Sequence, residues 1–208
     1  EFLKRLRDKC VMLFVNALVS ILGYAQNLTE HMSFMGIPIN GTITQFQTKL
    51  QGKGCALDRI TNSQLGVGCR AFTGKFVDNK VNIFVYYDEK TKIVYRVKAV
   101  LSGTSEEIAV QQYEKIKGLL LTKYGSTFSN YGTQSDKEAF GVLVASKSLR
   151  EDRDSSYSLA SNGFKGAVDL YIVKDDSYLR YPYWFNLHID YMDAINSEKH
   201  QNQSLEDI

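Results

Sequence analysis

Val81-Asn82-Ile83-Phe84-Val85 and Val168-Asp169-Leu170-Tyr171-Ile172 are two runs that agree in residue character at every position. Apolar residues alternate with other side chains in both runs, which is the pattern of a half-buried β-strand. Each run belongs to a hairpin-like region. Segments 80–87 and 92–101 flank a turn at 88–91, and segments 167–173 and 183–191 flank a turn at 174–177. The sequence therefore predicts two similar antiparallel hairpins.

A helix precedes each predicted hairpin. Thr42 and Gln45 have the spacing of a capping box, in which each side chain accepts from the other residue's backbone N–H. The helix that follows ends at Gly52 and Gly54. A second capping box spans 104–107, and Gly125 ends its helix. The apolar stripes of the two helices comprise Ile43, Phe46 and Leu50, and Ala109, Tyr113, Ile116, Leu120 and Tyr124.

Further strands complete the predicted pattern. Segments 70–76 and 157–162 read as the strands before the hairpins, and 56–60 and 127–131 as the first strand of each half. Segment 135–150 stays open, because it starts like a helix and then contains an apolar run typical of a strand. The predicted fold class is α+β, with two similar helix-plus-antiparallel-sheet units in tandem and the helices on one face of the sheets. The alternative is a chance likeness between two α+β halves.

This pattern resembles the β-lactamase-inhibitor-protein fold and the related outer-membrane assembly lipoproteins of the BamE type. The matching features are the Gly41-Thr42-Ile43 start of the first helix, the helix ends at 53–54 and 124–125, and the paired hairpins. The resemblance covers roughly residues 34–196 and implies a tandem fold that binds a protein partner. The Phe34-Met35-Gly36-Ile37-Pro38-Ile39 run is also similar to uncharacterised secreted proteins of gut bacteria. No inhibitory residue is carried over.

The first twenty-five residues have the order of a secretory signal peptide. A basic front at 4–9 precedes an apolar stretch at 11–22, and Gly23-Tyr24-Ala25 ends in small residues before Gln26. The alternative is a buried or amphipathic helix. The apolar stretch is too short for a transmembrane helix, which needs about 20 residues. We therefore expect a bacterial periplasmic or secreted protein, divided into signal 1–25, units 26–103 and 104–196, and a polar, loosely ordered tail 197–208.

The charge balance argues against nucleic-acid binding. Residues 1–25 hold four of the 25 basic and two of the 23 acidic residues, so the remainder carries 21 of each sign. Such a neutral chain lacks the electrostatic attraction that dominates nucleic-acid binding.

Two cysteines follow the predicted signal. In an oxidising compartment, Cys55 and Cys69 are expected to form a disulfide. The alternative is two buried free thiols. A metal site is not predicted, since two cysteines without a nearby histidine supply only half of a zinc site.

Successive side chains of a β-strand point to opposite faces of the sheet, and this alternation (strand parity) predicts a binding surface. One face of the hairpins carries the core residues Val81, Ile83, Val85, Tyr95, Val97, Ala99, Val168, Leu170, Ile172, Phe185, Leu187 and Ile189. The other carries Asn82, Phe84, Tyr86, Arg96, Lys98, Asp169, Tyr171, Trp184, Asn186, His188 and Asp190. Tyr, Trp and Arg are enriched at binding hot spots. The predicted binding residues are Phe84, Tyr86, Arg96, Tyr171, Trp184 and His188. An ordinary solvated sheet face, or a face covered by a loop, is the alternative.

Catalytic residues are not predicted. His31 lies in the N-terminal segment before the first helix, and His200 lies in the polar tail. No recognisable nucleophile accompanies His188. No cofactor motif occurs. We expect a non-enzymatic protein that binds a protein partner. Binding of a cell-envelope glycan, a hydrolase that uses His188 and Asp190, and a purely structural envelope protein are the alternatives.

Overall fold

The computed structural model of the chain describes residues 30–124, 166–175 and 184–206. The predicted signal peptide, the strands at 127–131 and 157–162, and segment 135–150 lie outside these residues. The strands are β1 Ser33–Phe34, β2 Ile37–Pro38, β3 Ala56–Leu57, β4 Cys69–Phe76, β5 Asn79–Tyr87, β6 Val94–Thr104, β7 Gly166–Asp175 and β8 Trp184–Asp193. The helices are α1 Ile43–Gly52, α2 Arg59–Asn62, α3 Glu106–Tyr124 and α4 Ala194–Glu206.

One antiparallel sheet joins the two predicted hairpins. Its described strands follow the order β3-β4-β5-β6-β8-β7, and β1 and β2 form a separate two-stranded sheet. The hairpins β5–β6 and β7–β8 meet because β6 pairs with β8. The class is α+β, as predicted. The tandem repeat stays a prediction, since much of the second half lies outside the described residues.

The core lies between one face of the sheet and the helices. Phe46 and Leu50 of α1 and Ile116 of α3 are buried in the same cluster as the strand residues Ile83 and Leu170. The predicted apolar stripes are confirmed at every position whose burial is described. All predicted core-facing strand residues except Tyr95 are buried.

The two predicted helix starts differ in outcome. At α1 the capping box is present, with Thr42 and Gln45 each accepting from the other's backbone N–H. At α3 the prediction is wrong by one residue, because Thr104 still belongs to β6 and its hydroxyl donates to the Phe185 carbonyl. Ser105 accepts from the Ile108 N–H instead, at 3.4 Å. Strand pairing therefore shifts the start of the helix.

A β-bulge moves Tyr95 out of the core. Tyr86 pairs with Arg96, and Tyr87 pairs with Val94, so one extra residue lies between the two rungs of β6. Val94 takes the fully buried position. Tyr95 is half-buried and stacks on the imidazole of His200, with 4.2 Å between ring centroids. The prediction that Tyr95 faces the core is therefore wrong, because a bulge breaks the two-residue period.

The segment predicted as a loose tail is helical as far as Glu206. Asp193, which is fully buried, accepts from the Asn196 N–H and so caps α4. The Asn196 side-chain amide donates to the backbone carbonyls of Ile39 and Val94. These contacts with distant segments order the helix despite its polar composition.

The predicted disulfide is wrong, and both cysteines are free thiols. Sγ of Cys55 belongs to the core and lies beside Gly74, where an added Cβ would be only 2.7 Å away. Cys69 lies five residues earlier in β4, about 16 Å along the strand, and pairs with Tyr86. A disulfide requires Cα atoms within about 7 Å. Burial raises the pKa of both thiols.

We expect iodoacetamide to label both Cys55 and Cys69 in the denatured, unreduced chain. In the native protein, Cys69 should react faster, because Cys55 is only 5% exposed. Peptide mapping by mass spectrometry measures both rates. A cross-linked peptide that contains both cysteines would contradict the expectation.

Candidate functional site

The strand registers place the predicted surface residues on one face of the sheet, opposite the core. We call this the outer face. One rung runs across four strands from Phe84 through Lys98 and Asp190 to Asp169. The face comprises Asn82, Phe84, Tyr86, Arg96, Lys98, Asp169, Tyr171, Trp184, Asn186, His188 and Asp190, as parity predicts. Because β6 pairs with β8, the face is continuous from one hairpin to the other.

The six predicted binding residues are not equally close together. Tyr86 lies opposite Arg96, and the guanidinium carbon is 5.0 Å from the centre of the phenol ring. Tyr171 lies opposite His188, and their rings stack with 4.8 Å between centroids. Phe84 is one rung from Tyr86, on the same face.

Trp184 lies at the far end of the outer face, at the start of β8. It pairs with Asp175, and about 13 Å of strand separates it from His188. The Trp184 side chain is 42% exposed. It is therefore a separate apolar contact point at the rim.

A charged cluster occupies the seam between β6 and β8. Asp190 is only 4% exposed, and its Oδ1 accepts from Nε of Arg96 at 2.8 Å. Nη2 of Arg96 donates to Oδ2 of the same carboxylate, and Nζ of Lys98 lies 3.5 Å from that oxygen. The hydrogen bond to Asp190, opposed by burial, raises the pKa of Arg96. Two-point pairing holds the guanidinium in a fixed orientation.

His188 is an uncharged imidazole at neutral pH. Burial, assisted by the nearby Lys98 ammonium and opposed by Asp190, lowers the pKa of His188 to about 4. Its Nδ1 is buried and has no hydrogen-bond partner in the described part of the chain. Its neighbours on the outer face include Val100 and Tyr171 across the strands and Asn186 and Asp190 along its own strand. None of these four is Ser, Thr or Cys.

The Asp190 carboxylate takes part in the ion pairs of the seam. In a catalytic triad, the carboxylate orients the imidazole through a hydrogen bond. Here the described contacts of the Asp190 carboxylate are with Arg96 and Lys98. Among residues 30–124, 166–175 and 184–206, no three His, Cys, Asp or Glu side chains are placed to hold a metal ion.

A groove of about 700 Å³ lies on the outer face, next to the charged cluster of the β6–β8 seam. We call it the lysine groove. Its floor consists mainly of short side chains, and three lysines contribute to its lining. The lining includes Lys53, Lys75, Lys80, Ala56, Thr73, Asn82, Val100 and Ser102. Val100 pairs with His188, so the groove borders the stacked Tyr171–His188 pair.

Sequence reasoning missed the lysine groove, although one signal was available. A two-residue turn at Val77 and Asp78, both with positive φ, joins β4 to β5. Recognising that turn places Lys75 directly opposite Lys80.

A smaller cavity of about 200 Å³ lies near the start of the described chain. His31 and His200 both line it, together with Asp88 and Asn196. Nδ1 of His31 is 3.0 Å from Oδ2 of Asp193, and Nδ1 of His200 is 2.9 Å from Oδ2 of Asp88. The two histidines therefore tie the N-terminal segment and the last helix to neighbouring carboxylates.

We expect the two cations of the seam to differ in their contribution to stability. Arg96→Met should lower the free energy of unfolding by about 2 kcal/mol, because it leaves a buried carboxylate with one cation. Lys98→Met keeps the two Arg96 bonds and should cost less than about 1 kcal/mol. Urea unfolding of the two variants measures the difference. Equal losses would contradict the assignment.

We expect His188 to make folding sensitive to mild acid. The unfolded histidine takes up a proton near pH 6.5, whereas folded His188 resists until about pH 4. The parent therefore loses stability as the pH falls through this window. His188→Phe keeps a ring against Tyr171 and removes this loss, which is on the order of 1–2 kcal/mol after allowance for solvent screening. Urea unfolding of both proteins at several pH values measures it, and parallel pH profiles would contradict it.

Comparison of the chain with protein-family models, curated proteins and solved structures finds no match. None of the described helices is long and apolar enough to cross a membrane.

Proposed function

We propose that the chain is an exported, non-enzymatic protein that binds a protein partner through its outer face. The observation that carries this proposal is the strand register, which brings Phe84, Tyr86, Arg96, Tyr171, Trp184 and His188 onto one face across the β6–β8 seam. Export is inferred from the signal-like order of residues 1–25.

The residue types on the outer face support a protein partner. Tyr, Trp and Arg carry a large share of binding energy at protein interfaces, because they combine broad apolar surface with hydrogen-bonding groups. Arg96 is already fixed by Asp190, and Tyr86 lies beneath its guanidinium. Binding therefore loses little side-chain entropy at these positions.

A cell-envelope glycan is the second candidate. Sugars pack on open aromatic ring faces, and Trp184 offers one exposed indole at the rim. One face of Tyr171 is covered by His188, however, and the Arg96 guanidinium lies over Tyr86. This reduces the ring surface available for stacking, which favours a protein.

The hydrolase hypothesis receives less support from the geometry. The described polar contacts of Asp190 are with Arg96 and Lys98, and the outer-face neighbours of His188 named above include no Ser, Thr or Cys. A binding role requires no rearrangement of these side chains.

We expect Trp184→Ala to abolish capture of the partner and leave the fold intact. The indole is 42% exposed, so its removal should cost little stability, whereas loss of a binding hot spot lowers affinity by about 30-fold or more. Leu119→Ala is the matched control, because Leu119 is 49% exposed on α3, away from the outer face.

The measurement is a pull-down of the full chain and both variants from a cell-envelope extract. Bound species are identified by mass spectrometry, and folding is checked by circular dichroism. A protein held by the parent and by Leu119→Ala, but lost by folded Trp184→Ala, supports the proposal. Equal capture by all three would remove it, and capture of a glycan alone would support the second candidate.

A further inference from the structure

The lysine groove carries a positive charge that the described structure does not compensate. Lys75 and Lys80 are directly opposed on neighbouring strands, where like charges repel. Lys53 lines the same groove from the end of α1. Asp78, in the turn between β4 and β5, has its carboxylate 4.0 Å from Nζ of Lys115. Within the described ranges, no ion pair is formed by the three groove lysines.

The groove differs in this respect from the neighbouring seam. There, Arg96 and Lys98 share the buried carboxylate of Asp190, so part of their positive charge is balanced within the protein. Among the described lining residues of the groove, none is Asp or Glu. The outer face thus combines a cluster with its own carboxylate and a nearby groove to which the described residues supply no counter-charge.

The floor of the groove leaves room for an extended chain. Ala56 and Thr73 are cross-strand partners, and Asn82 lies opposite Val100 on the next strands. These side chains are shorter than the lysines beside them. Thr73, Asn82 and Ser102 also supply hydroxyl and amide groups that can hydrogen-bond to a peptide backbone or a carboxylate.

We propose that the lysine groove receives an acidic segment of the protein partner, with Asp or Glu side chains opposite Lys53, Lys75 and Lys80. This inference rests on the proposed function, because the groove belongs to the same outer face. Carboxylates would remove the repulsion between Lys75 and Lys80. A complementary pair of surfaces also accelerates the encounter of two proteins in a manner that salt suppresses.

The first test compares two double variants that lose the same charge. Lys75→Gln/Lys80→Gln removes the opposed pair of the groove. Lys49→Gln/Lys199→Gln removes two exposed lysines from α1 and α4. Because the groove variant relieves a repulsion, it should fold at least as stably as the parent.

Binding of the captured partner is measured by surface plasmon resonance at low and high salt. The groove variant should bind at least 10-fold more weakly at low salt and show a flatter salt dependence than the parent. The control variant should resemble the parent. Equal affinities of the two variants would overturn the inference. If Trp184→Ala still lost the partner in that case, the proposed function would remain supported and only the role of the groove would be wrong.

The second test needs no partner and therefore addresses the groove if the pull-down captures no protein. A hexaglutamate peptide, an oligogalacturonate and inorganic phosphate are titrated into the labelled full chain, with NMR detection of the backbone amides of Asn82 and Ser102. Saturable shifts with the peptide, absent in Lys75→Gln/Lys80→Gln, support an acidic protein segment. Equal or tighter binding of the uronate or phosphate, or no binding of the peptide, would overturn it.

Discussion

The pairing of β6 with β8 is the constraint on which the rest of the structure depends. It joins two hairpins that are distant in sequence into one sheet, with Ala99 opposite Ile189 and Lys98 opposite Asp190. A shift of one residue in this register would turn the apolar set of one hairpin toward solvent. The buried partners on the core face and the ion pairs on the outer face therefore select the same register. The outer face is continuous only because both selections agree.

The charged seam also explains how a polar face can be rigid. A carboxylate as buried as Asp190 is costly unless its oxygens are paired. Arg96 supplies two hydrogen bonds and Lys98 a nearby ammonium. The Lys98 charge that helps to stabilise the carboxylate also disfavours protonation of His188. Lys98 thus acts on two side chains of β8 from the adjacent strand β6.

Much of the fold and of the candidate site followed from local patterns. Parity alone assigned the outer-face residues correctly, because the two-residue period holds along most of each strand. It failed at Tyr95, where a bulge inserts a residue, and such an irregularity depends on the partner strand. The helical tail was missed for a similar reason. Its order comes from Asp193 and Asn196, whose hydrogen bonds connect segments up to 162 residues apart.

The cysteines show the limit of compositional reasoning. Their even number predicted a disulfide, but β3 and β4 place the two thiols at different points along the sheet. Distance in space is decided by strand pairing, which the number of intervening residues does not reveal.

The lysine groove was overlooked because the opposed pair Lys75–Lys80 is recognised only once the turn between their strands is known. Within the described ranges no acid pairs with these lysines, so their repulsion costs stability, and the proposed acidic ligand would supply the missing charge. By the same reasoning, Arg96 and Lys98 are less available to a ligand than the groove lysines, because both already contact the Asp190 carboxylate. In the proposed function, the outer face therefore combines a fixed aromatic and cationic contact area with an adjoining groove that attracts acidic groups.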